Sequence, residues 1–549
     1  MDNQSIADSF SLMAKLMDIH GENSFKAKGY SIAAYNIERL TGPLEELEAA
    51  KIFAIKGIGD AIGKKIIELN QTGELQVLKE LLDKTPPGVL DMMRIKGVGP
   101  KKVALLWKEL GIESMGELLY ACDENRLTLY KGFGAKTQAN IKENIEFVLK
   151  NQDRFLYAHI EPFALEIVRA ISEAFPGEQT ALTGAFRRQL EIIDELEFVT
   201  TVPLEELADF LESQGFELEE DASGALIARG DRNLPLVWHE ATSDDFGTRL
   251  FQTSASEEFL KAWGGLTRAS TEEALFEKAG IPFITAPRRE NAEVIGKPQT
   301  TSLQPSDIKG IIHSHSDWSD GAHTLEKMAV TAKARGLEYL VISDHSKSAF
   351  YANGLTEERI KAQHEQIAEL NARLAPFKIF KSIESDILGD GRLDYSDQVL
   401  STFDLVIASV HSNLSMPKDK AMQRLLTAIR NPYTTILGHP TGRLLLSRKG
   451  YPVDHQALLD ACAAEGVVME LNAHPRRLDM DWRWLEDAMT RGVLTSIDPD
   501  AHAVEGFSDI RYGVLVAQKA GVGPRQNLSS FSRGELEDWL LARRSVKGI

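Results

Sequence analysis

The sequence predicts a multidomain chain in which a helical region, an α+β region and a parallel α/β barrel follow one another. Three observations carry that expectation. In residues 1–150, short amphipathic stretches are interrupted by a recurring Gly-apolar-Gly pattern. In residues 151–290, helical and strand patterns are mixed. From Ile308 onward, seven apolar strand segments alternate with amphipathic helices, the arrangement that closes a parallel sheet covered by helices. At 549 residues the chain is also too long for one core. The expected divisions are 1–90, 91–150, 151–290, a polar linker at 291–307 (NAEVIGKPQTTSLQPSD) and 308–549.

Hydrophobic content of 43% and charged content of 26% fit a soluble globular protein. No apolar run reaches the ~18–20 residues needed to cross a bilayer. The opening MDNQSIADSF lacks the basic and apolar parts of a secretory signal. Cys122 and Cys462 lie far apart and form no disulfide framework. A cytosolic protein without membrane partners is expected. The net charge of −19 looks wrong for a nucleic-acid binder, but it is unevenly spread. Residues 1–150 hold 20 basic and 21 acidic side chains, residues 151–300 hold 13 and 28, and residues 301–549 hold 29 and 32. The middle third therefore carries −15 of the total.

In the helical region, Ile55-Lys56-Gly57-Ile58-Gly59 is echoed by Ile95-Lys96-Gly97-Val98-Gly99 and, more loosely, by Tyr130-Lys131-Gly132-Phe133-Gly134. Each copy precedes a helical stretch with basic side chains, so this is an internal repeat. Glycines let the backbone turn tightly and present N–H groups at a helix start, which is a phosphate site. Gly57, Gly59, Gly97 and Gly99 are the expected turn residues, and Lys64, Lys65, Lys101 and Lys102 add attraction to a phosphate backbone. Such contacts carry no sequence information.

In the barrel, chemistry collects at the C-terminal ends of the strands. Those ends supply His313 and His315, Asp320 in the loop beyond, the pair Asp344-His345, then Glu384, His411, His439, Asp500 and His502. Adjacent strand residues face opposite ways, so His345 is kept as a ligand and Asp344 is not. Residues two apart face the same way, which pairs His313 with His315 and Asp500 with His502. Six of the 13 histidines are in this set. Nine imidazole and carboxylate ligands exceed one tetrahedral site, so two or three divalent ions are expected, zinc or manganese, with iron also admissible. Glu384 is placed as a bridge, and Glu384 and Asp500 are the expected catalytic carboxylates. Closely spaced ions generate hydroxide and stabilise the attacking and leaving oxygens of a phosphate ester.

Residues 308–530 resemble the polymerase-and-histidinol-phosphatase (PHP) domain. The likeness rests on the HxH…D opening, SDHS, Glu384-x-Asp-Ile387, SVHS at Ser409–Ser412, GHPTGR and DAH at Asp500–His502. It implies a (βα)7 barrel, three metal ions and all nine ligand positions filled. Arg443 of GHPTGR could meet a phosphate or form a structural ion pair.

The Gly-apolar-Gly repeats resemble helix-hairpin-helix DNA-binding motifs. The run Gly21-Glu22-Asn23-Ser24-Phe25-Lys26-Ala27-Lys28-Gly29-Tyr30 resembles the N-terminal domain of family X DNA polymerases, some of which use a Schiff-base lysine as a deoxyribose-phosphate lyase. Lys65 falls on that position, or is a surface lysine beside the DNA loop. Thr183-Gly184-Ala185-Phe186-Arg187-Arg188 and the strand Ile193-Asp194-Glu195-Leu196-Glu197-Phe198 resemble the nucleotidyltransferase-like palm of that family, and a thumb follows. Here the family's serine is Ala185, the paired aspartates are Glu195 and Glu197, and no Asp stands on Leu236-Val237-Trp238-His239. Lengthening a carboxylate shifts its ion by roughly 1 Å, a displacement that can cost about 10²-fold. Mg²⁺ at the palm is therefore disfavoured, although Arg187 and Arg188 could still bind a triphosphate. His239 or Glu240 could also stand in for the missing Asp.

The resemblance covers almost the whole chain and implies a bacterial, cytosolic family X DNA polymerase with a C-terminal PHP domain. The expected protein is a monomer that acts on gapped, nicked or 3′ DNA ends. Its expected activity is that of a metal-dependent 3′–5′ exonuclease in base-excision repair, with a silent polymerase palm. The alternatives are a bifunctional polymerase/exonuclease working through substituted carboxylates and a small-molecule phosphatase.

Overall fold

A computed structural model describes the chain except for residues 1, 41, 45, 46, 56, 57, 124–126, 128, 129, 131, 151–153, 223, 231–233, 298–300, 350, 351, 447 and 448. Gly57, one of the expected DNA-binding residues, lies outside the described set, as do Lys56 and Lys131. Two compact units are present, Met1–Gln152 and Asp153–Ile549.

The first unit is helical. Helix α1 (Asn3–His20) starts where the Asp2 side chain accepts from the Ser5 N–H and stops at Gly21, whose φ of 73° only glycine adopts readily. Helix α2 (Ser24–Glu38) is capped by Asn23. Helices α3 (Asp60–Thr72) and α4 (Pro100–Lys108) both begin after a glycine, Gly59 and Gly99 respectively. One apolar core runs from Ile6 to Ile145 and includes Phe10, Ile66, Val103 and Phe133. The boundary expected near residue 90 therefore divides two repeats but not two cores.

The second unit opens with an antiparallel-rich sheet. Its strands are β1 (Thr180–Leu182), β2 (Leu196–Thr200), β3 (Glu217–Glu220), β4 (Leu226–Arg229) and β5 (Leu236–Glu240), in spatial order β1-β2-β5-β4-β3. Among the described residues, only β2 and β5 run parallel, and they bring Phe198 face to face with Trp238, ring centroids 4.2 Å apart.

Seven parallel strands follow in sequence order: β6 (Gly310–Ser314), β7 (Tyr339–Ile342), β8 (Lys378–Asp386), β9 (Leu405–Ser409), β10 (Ile436–Leu437), β11 (Val468–Asn472) and β12 (Thr495–Asp498). Beyond the strand ends, the first and last meet. The His315 N–H donates to the Ala501 carbonyl at 2.9 Å, and the Ala501 N–H to the His313 carbonyl at 3.3 Å. Alternate residues Ile312, Val341, Phe380, Ile407, Ile436 and Val468 form one core with Leu528, Leu536 and Leu540. The intervening residues, among them Ile311, Leu340, Ile379 and Val406, pack in a second core with helical side chains such as Met328, Ile367 and Leu425. Both faces are buried, which is why these strands read as continuous apolar runs.

The expected linker is in part a docked strap. Val294 packs with Phe251 and Phe276. Leu303 is fully buried in the barrel core, and its carbonyl accepts from Gln518 at 2.8 Å. The polar composition of this segment hid its two apolar anchors. Further ties bind sheet and barrel into one unit. Glu191 pairs with Arg483 at 2.8 Å, and the buried Lys519 ammonium donates to Glu290 at 2.8 Å.

Candidate metal centre

All nine expected ligands converge at the C-terminal rim of the barrel. Glu384, inside β8, is the hub. Its Oε1 lies 3.0 Å from His439 Nε2, 3.1 Å from His411 Nε2 and 3.3 Å from His313 Nε2, and its Oε2 lies 2.9 Å from His345 Nδ1. Asp500 Oδ1 lies 3.1 Å from His315 Nε2 and 3.5 Å from His313 Nε2. Asp320 stands 3.5 Å from His502 Nε2 and 3.6 Å from His345 Nε2.

The backbone is bent to achieve this. His313, His439 and Asp500 have φ of 58°, 21° and 52°, in the left-handed region that non-glycine residues rarely enter. Strained backbone of this kind persists where surrounding structure imposes it, and such positions cluster at functional sites. The β6–β7 register shifts between Ile311 and Ser314, the stretch that contains His313. Simple strand alternation is thus the wrong reason for the pairing of Asp500 with His502. Both lie past the end of β12 at Asp498, and a left-handed turn at Asp500 brings them together. Asp344 behaves as expected of a residue facing away. It accepts from the Ser316 N–H at 2.8 Å, Ser319 Oγ at 2.6 Å and Gln363 Nε2 at 2.6 Å.

Among the described residues, three groups of side chains have ligand atoms within 4.8 Å of one another: His315, Asp320, His345 and His502; His313, His315 and Asp500; and His345, Glu384 and His411. The donor chemistry fits divalent ions. Burial opposes ionisation at every carboxylate, yet imidazoles around Asp320, Glu384 and Asp500 hold all three below the usual carboxylate range. His315 is pushed down to about 3 by burial and by the neighbouring His502 and His345. His313 Nδ1 donates to Glu470 and His315 Nε2 to Asp500, so in the neutral rings His313 Nε2 and His315 Nδ1 each keep a lone pair to give a metal.

Two carboxylates behind the ligands escaped the sequence reading. Glu470 accepts from His313 Nδ1 and from the His439 N–H. Asp386 takes His411 Nδ1 at 2.5 Å. Each fixes the ring so that the other nitrogen faces the cluster. The signal for Glu470 was a charge inside the apolar run Val467–Leu471, since a buried charge needs a partner. Asn472, which donates to Asp500 at 3.2 Å, gave no such signal.

Arg443 does not face this cluster as a free phosphate donor. Its side chain pairs with Asp481 at 2.5 Å, donates through Nε to the Arg477 carbonyl at 2.9 Å and reaches the Leu478 carbonyl. It is the structural ion pair of the two readings.

The palm arginines, expected to be able to hold a triphosphate, are both in ion pairs in this structure. Arg187 forms a two-pronged pair with Glu272 at 2.9 and 2.6 Å, and Arg188 pairs with Glu290 at 3.0 Å. Glu197 Oε2 meets His239 Nε2 at 3.0 Å, so His239, and not the exposed Glu240, joins the carboxylate pair. A side chain at Gly184, φ 61°, would collide with Glu197. Glu195 has its pKa raised by burial and by Glu197.

At the helical repeats, Gly97 takes a φ of 83° and Gly59 and Gly99 are N-caps, with nothing within 4 Å of a Cβ built on any of the three. Lys64 and Lys101 are exposed. Lys102 donates to the Gly97 carbonyl at 2.9 Å and lies over the Phe133 ring, which braces its own turn. Lys65 lies 3.8 Å from Glu68, with 17% of its side chain exposed.

Comparisons with known proteins agree with this architecture. The helix-hairpin-helix domain family matches residues 1–75, the SAM-like helix-hairpin-helix tandem matches 89–146 and the PHP domain matches 312–474. A "probable phosphatase" of Syntrophotalea carbinolica is 26% identical over 39% of this chain and 89% of its own length. Another, from Thermoanaerobacter sp. strain X514, is 26% identical over 43% of this chain and 96% of its own. The "DNA polymerase/3′-5′ exonuclease PolX" of Bacillus subtilis strain 168 is 31% identical over 98% of this chain and 99% of its own. With hairpin repeats, palm sheet and PHP barrel in one collinear match, the chain belongs to the PolX family, the family X DNA polymerases that carry a C-terminal PHP domain.

Proposed function

We propose that this protein is a metal-dependent 3′–5′ exonuclease that trims DNA ends in base-excision repair, working in the bacterial cytosol as a monomer. The observation that carries the reading is the convergence of nine ligands around Glu384 at the rim of the barrel. His313, His315, Asp320, His345, Glu384, His411, His439, Asp500 and His502 would hold two or three Zn²⁺, Mn²⁺ or Fe²⁺ ions. Bound there, the ions would supply hydroxide near neutral pH and spread the charge that develops on a phosphodiester. The chain's own residues prepare the site. Asp386 and Glu470 orient two imidazoles, the ionised carboxylates need no proton removed before they bind a cation, and Asp344 clamps the loop that carries Asp320.

DNA is favoured over a small phosphate ester because the hairpin repeats present exposed lysines and open helix N-termini to a phosphate backbone. The phosphatase relatives cover only 39% and 43% of this chain. The palm is proposed to be silent, with Glu272 and Glu290 occupying the guanidinium groups that a triphosphate would need. Polymerase activity is the second reading, which the Glu197–His239 contact and the name of the Bacillus relative favour.

The test of polarity uses a duplex with a recessed 3′ end and Mn²⁺, labelled at either end of the recessed strand. A 5′ label should give a shrinking ladder and a 3′ label should be released as mononucleotide. Release of a 5′-labelled mononucleotide would overturn the assignment.

A further inference from the structure

The loop after β11 carries groups that the ligand set leaves unused. Arg477 Nε lies 3.7 Å from Asp500 Oδ2, and 19% of its side chain is exposed. Its two Nη nitrogens form no hydrogen bond with any described residue. A guanidinium this enclosed, beside a metal ligand and with both terminal nitrogens open, is poised for an anion. His474 belongs to the same loop. Its Nδ1 accepts the Arg476 N–H at 3.2 Å, which leaves Nε2 as the protonated donor.

The loop is held from below. The Arg477 N–H donates to the His474 carbonyl at 2.7 Å, and Leu478, with φ of 43°, turns the chain back. Arg443 bonds the Arg477 and Leu478 carbonyls and is itself fixed by Asp481. Arg443 is therefore the bracket of the loop, and Arg477 is the side chain that reaches the site. Asp500 does not depend on Arg477 for its position, because Asn472 and His315 also bond it.

We infer that Arg477 grips the phosphate group undergoing hydrolysis, by two parallel N–H···O bonds to non-bridging oxygens, and that Arg443 acts as its positioning residue. The inference deepens the phosphoesterase reading and assigns the phosphate contact of that site. Two open Nη groups suit a phosphate with at least two free oxygens, as both an internal diester and a terminal monoester have.

The test measures inorganic phosphate binding to the full-length, Mn²⁺-loaded protein by calorimetry, alongside kcat and KM on labelled single-stranded DNA and metal content by elemental analysis. Arg477→Ala should weaken phosphate binding by roughly ten- to hundredfold, the usual range for lost hydrogen bonds to a charged group, with metal content unchanged. Arg477→Lys should recover part of it, since charge remains but the fork is lost. Arg443→Ala should show a comparable loss, and the double variant should be no worse than Arg477→Ala, because both act through one contact. Parental phosphate affinity in Arg477→Ala would overturn the inference. Loss of metal in that variant would also overturn it, by showing that Arg477 serves Asp500 instead. If the parental protein cleaves no DNA end while Arg477→Ala still loses phosphate affinity, the nuclease reading fails and the phosphate contact stands.

Discussion

Asp386 accepts the Nδ1–H of His411 at 2.5 Å, which turns His411 Nε2 toward Glu384 Oε1 at 3.1 Å. Glu470 does the same for His313. Groups behind metal ligands tune affinity by roughly 10- to 100-fold. Asp386→Asn and Glu470→Gln should therefore weaken Mn²⁺ binding by about that factor while the protein stays folded. Calorimetric titration of the metal-free protein measures it. Parental affinity in both variants would mean that the ring orientations are set by packing alone.

Metal content is the next expectation. Purified under metal-replete conditions, the protein should carry two to three equivalents of zinc, manganese or iron, and His313→Ala or His345→Ala should lower that number. Elemental analysis giving less than one equivalent for the parental protein would contradict the cluster.

DNA affinity should reside in the helical unit. Gly97 sits at φ 83° with open space where a Cβ would point, so Gly97→Val should distort the turn and obstruct backbone approach to phosphate. Pairing it with Gly57→Val alters both of the closer sequence copies of the repeat. Fluorescence anisotropy at moderate salt should show weakened binding. Unchanged affinity in the double variant would reduce the repeats to structural turns.

The palm's ion pairs make a stability prediction with a definite sign. Burial would raise the Glu272 pKa, but Arg187 and the fully buried Arg289 bring it below its ordinary value of 4.5. A carboxylate with a lowered folded pKa stabilises above its unfolded pKa, and that contribution is lost as pH falls through the folded value. Glu272→Gln should therefore destabilise the protein by about 3–5 kcal/mol at neutral pH, the cost of leaving buried partners uncompensated. The gap between variant and parent should narrow as pH falls below about 4.5. Urea unfolding at several pH values reads both effects, and a gap independent of pH would exclude ionised Glu272 as its source.

Much of the barrel was readable because its chemistry sits where the strand pattern ends. Strands buried on both faces leave an apolar run, and a ligand immediately after such a run stands out, as His411 and His439 do. The reason for convergence was less readable. Left-handed turns at His313, His439 and Asp500 belong to residues that give no local hint of positive φ. Partnerships across long sequence separations were also hidden. Nothing near Arg187 announces Glu272, and the choice between phosphate contact and structural ion pair stayed open for Arg443 because its carbonyl partners, Arg477 and Leu478, lie in a different loop.

The silent palm is tested with degradation removed. Asp500→Asn should show little or no template-directed synthesis on a one-nucleotide gap, with Mg²⁺ or Mn²⁺ at low salt. Displaced glutamates, the missing third aspartate and occupied Arg187 and Arg188 all oppose it. Template-correct extension that vanishes in Glu195→Gln would show that two glutamates suffice.

DNA bound through the helical unit is proposed to be cleaved at the barrel's rim, where Glu384, Asp500 and their neighbours would hold the metal ions that supply hydroxide. The most direct measurement compares degradation of 5′-labelled DNA by the Mn²⁺-loaded parent, Asp500→Asn and Glu384→Gln, with DNA affinity recorded for each. Hydrolysis should fall by at least roughly a hundredfold in both variants, since each removes a side chain that would hold those ions, with DNA affinity retained. Degradation at the parental rate in both variants would place the nuclease elsewhere in the chain.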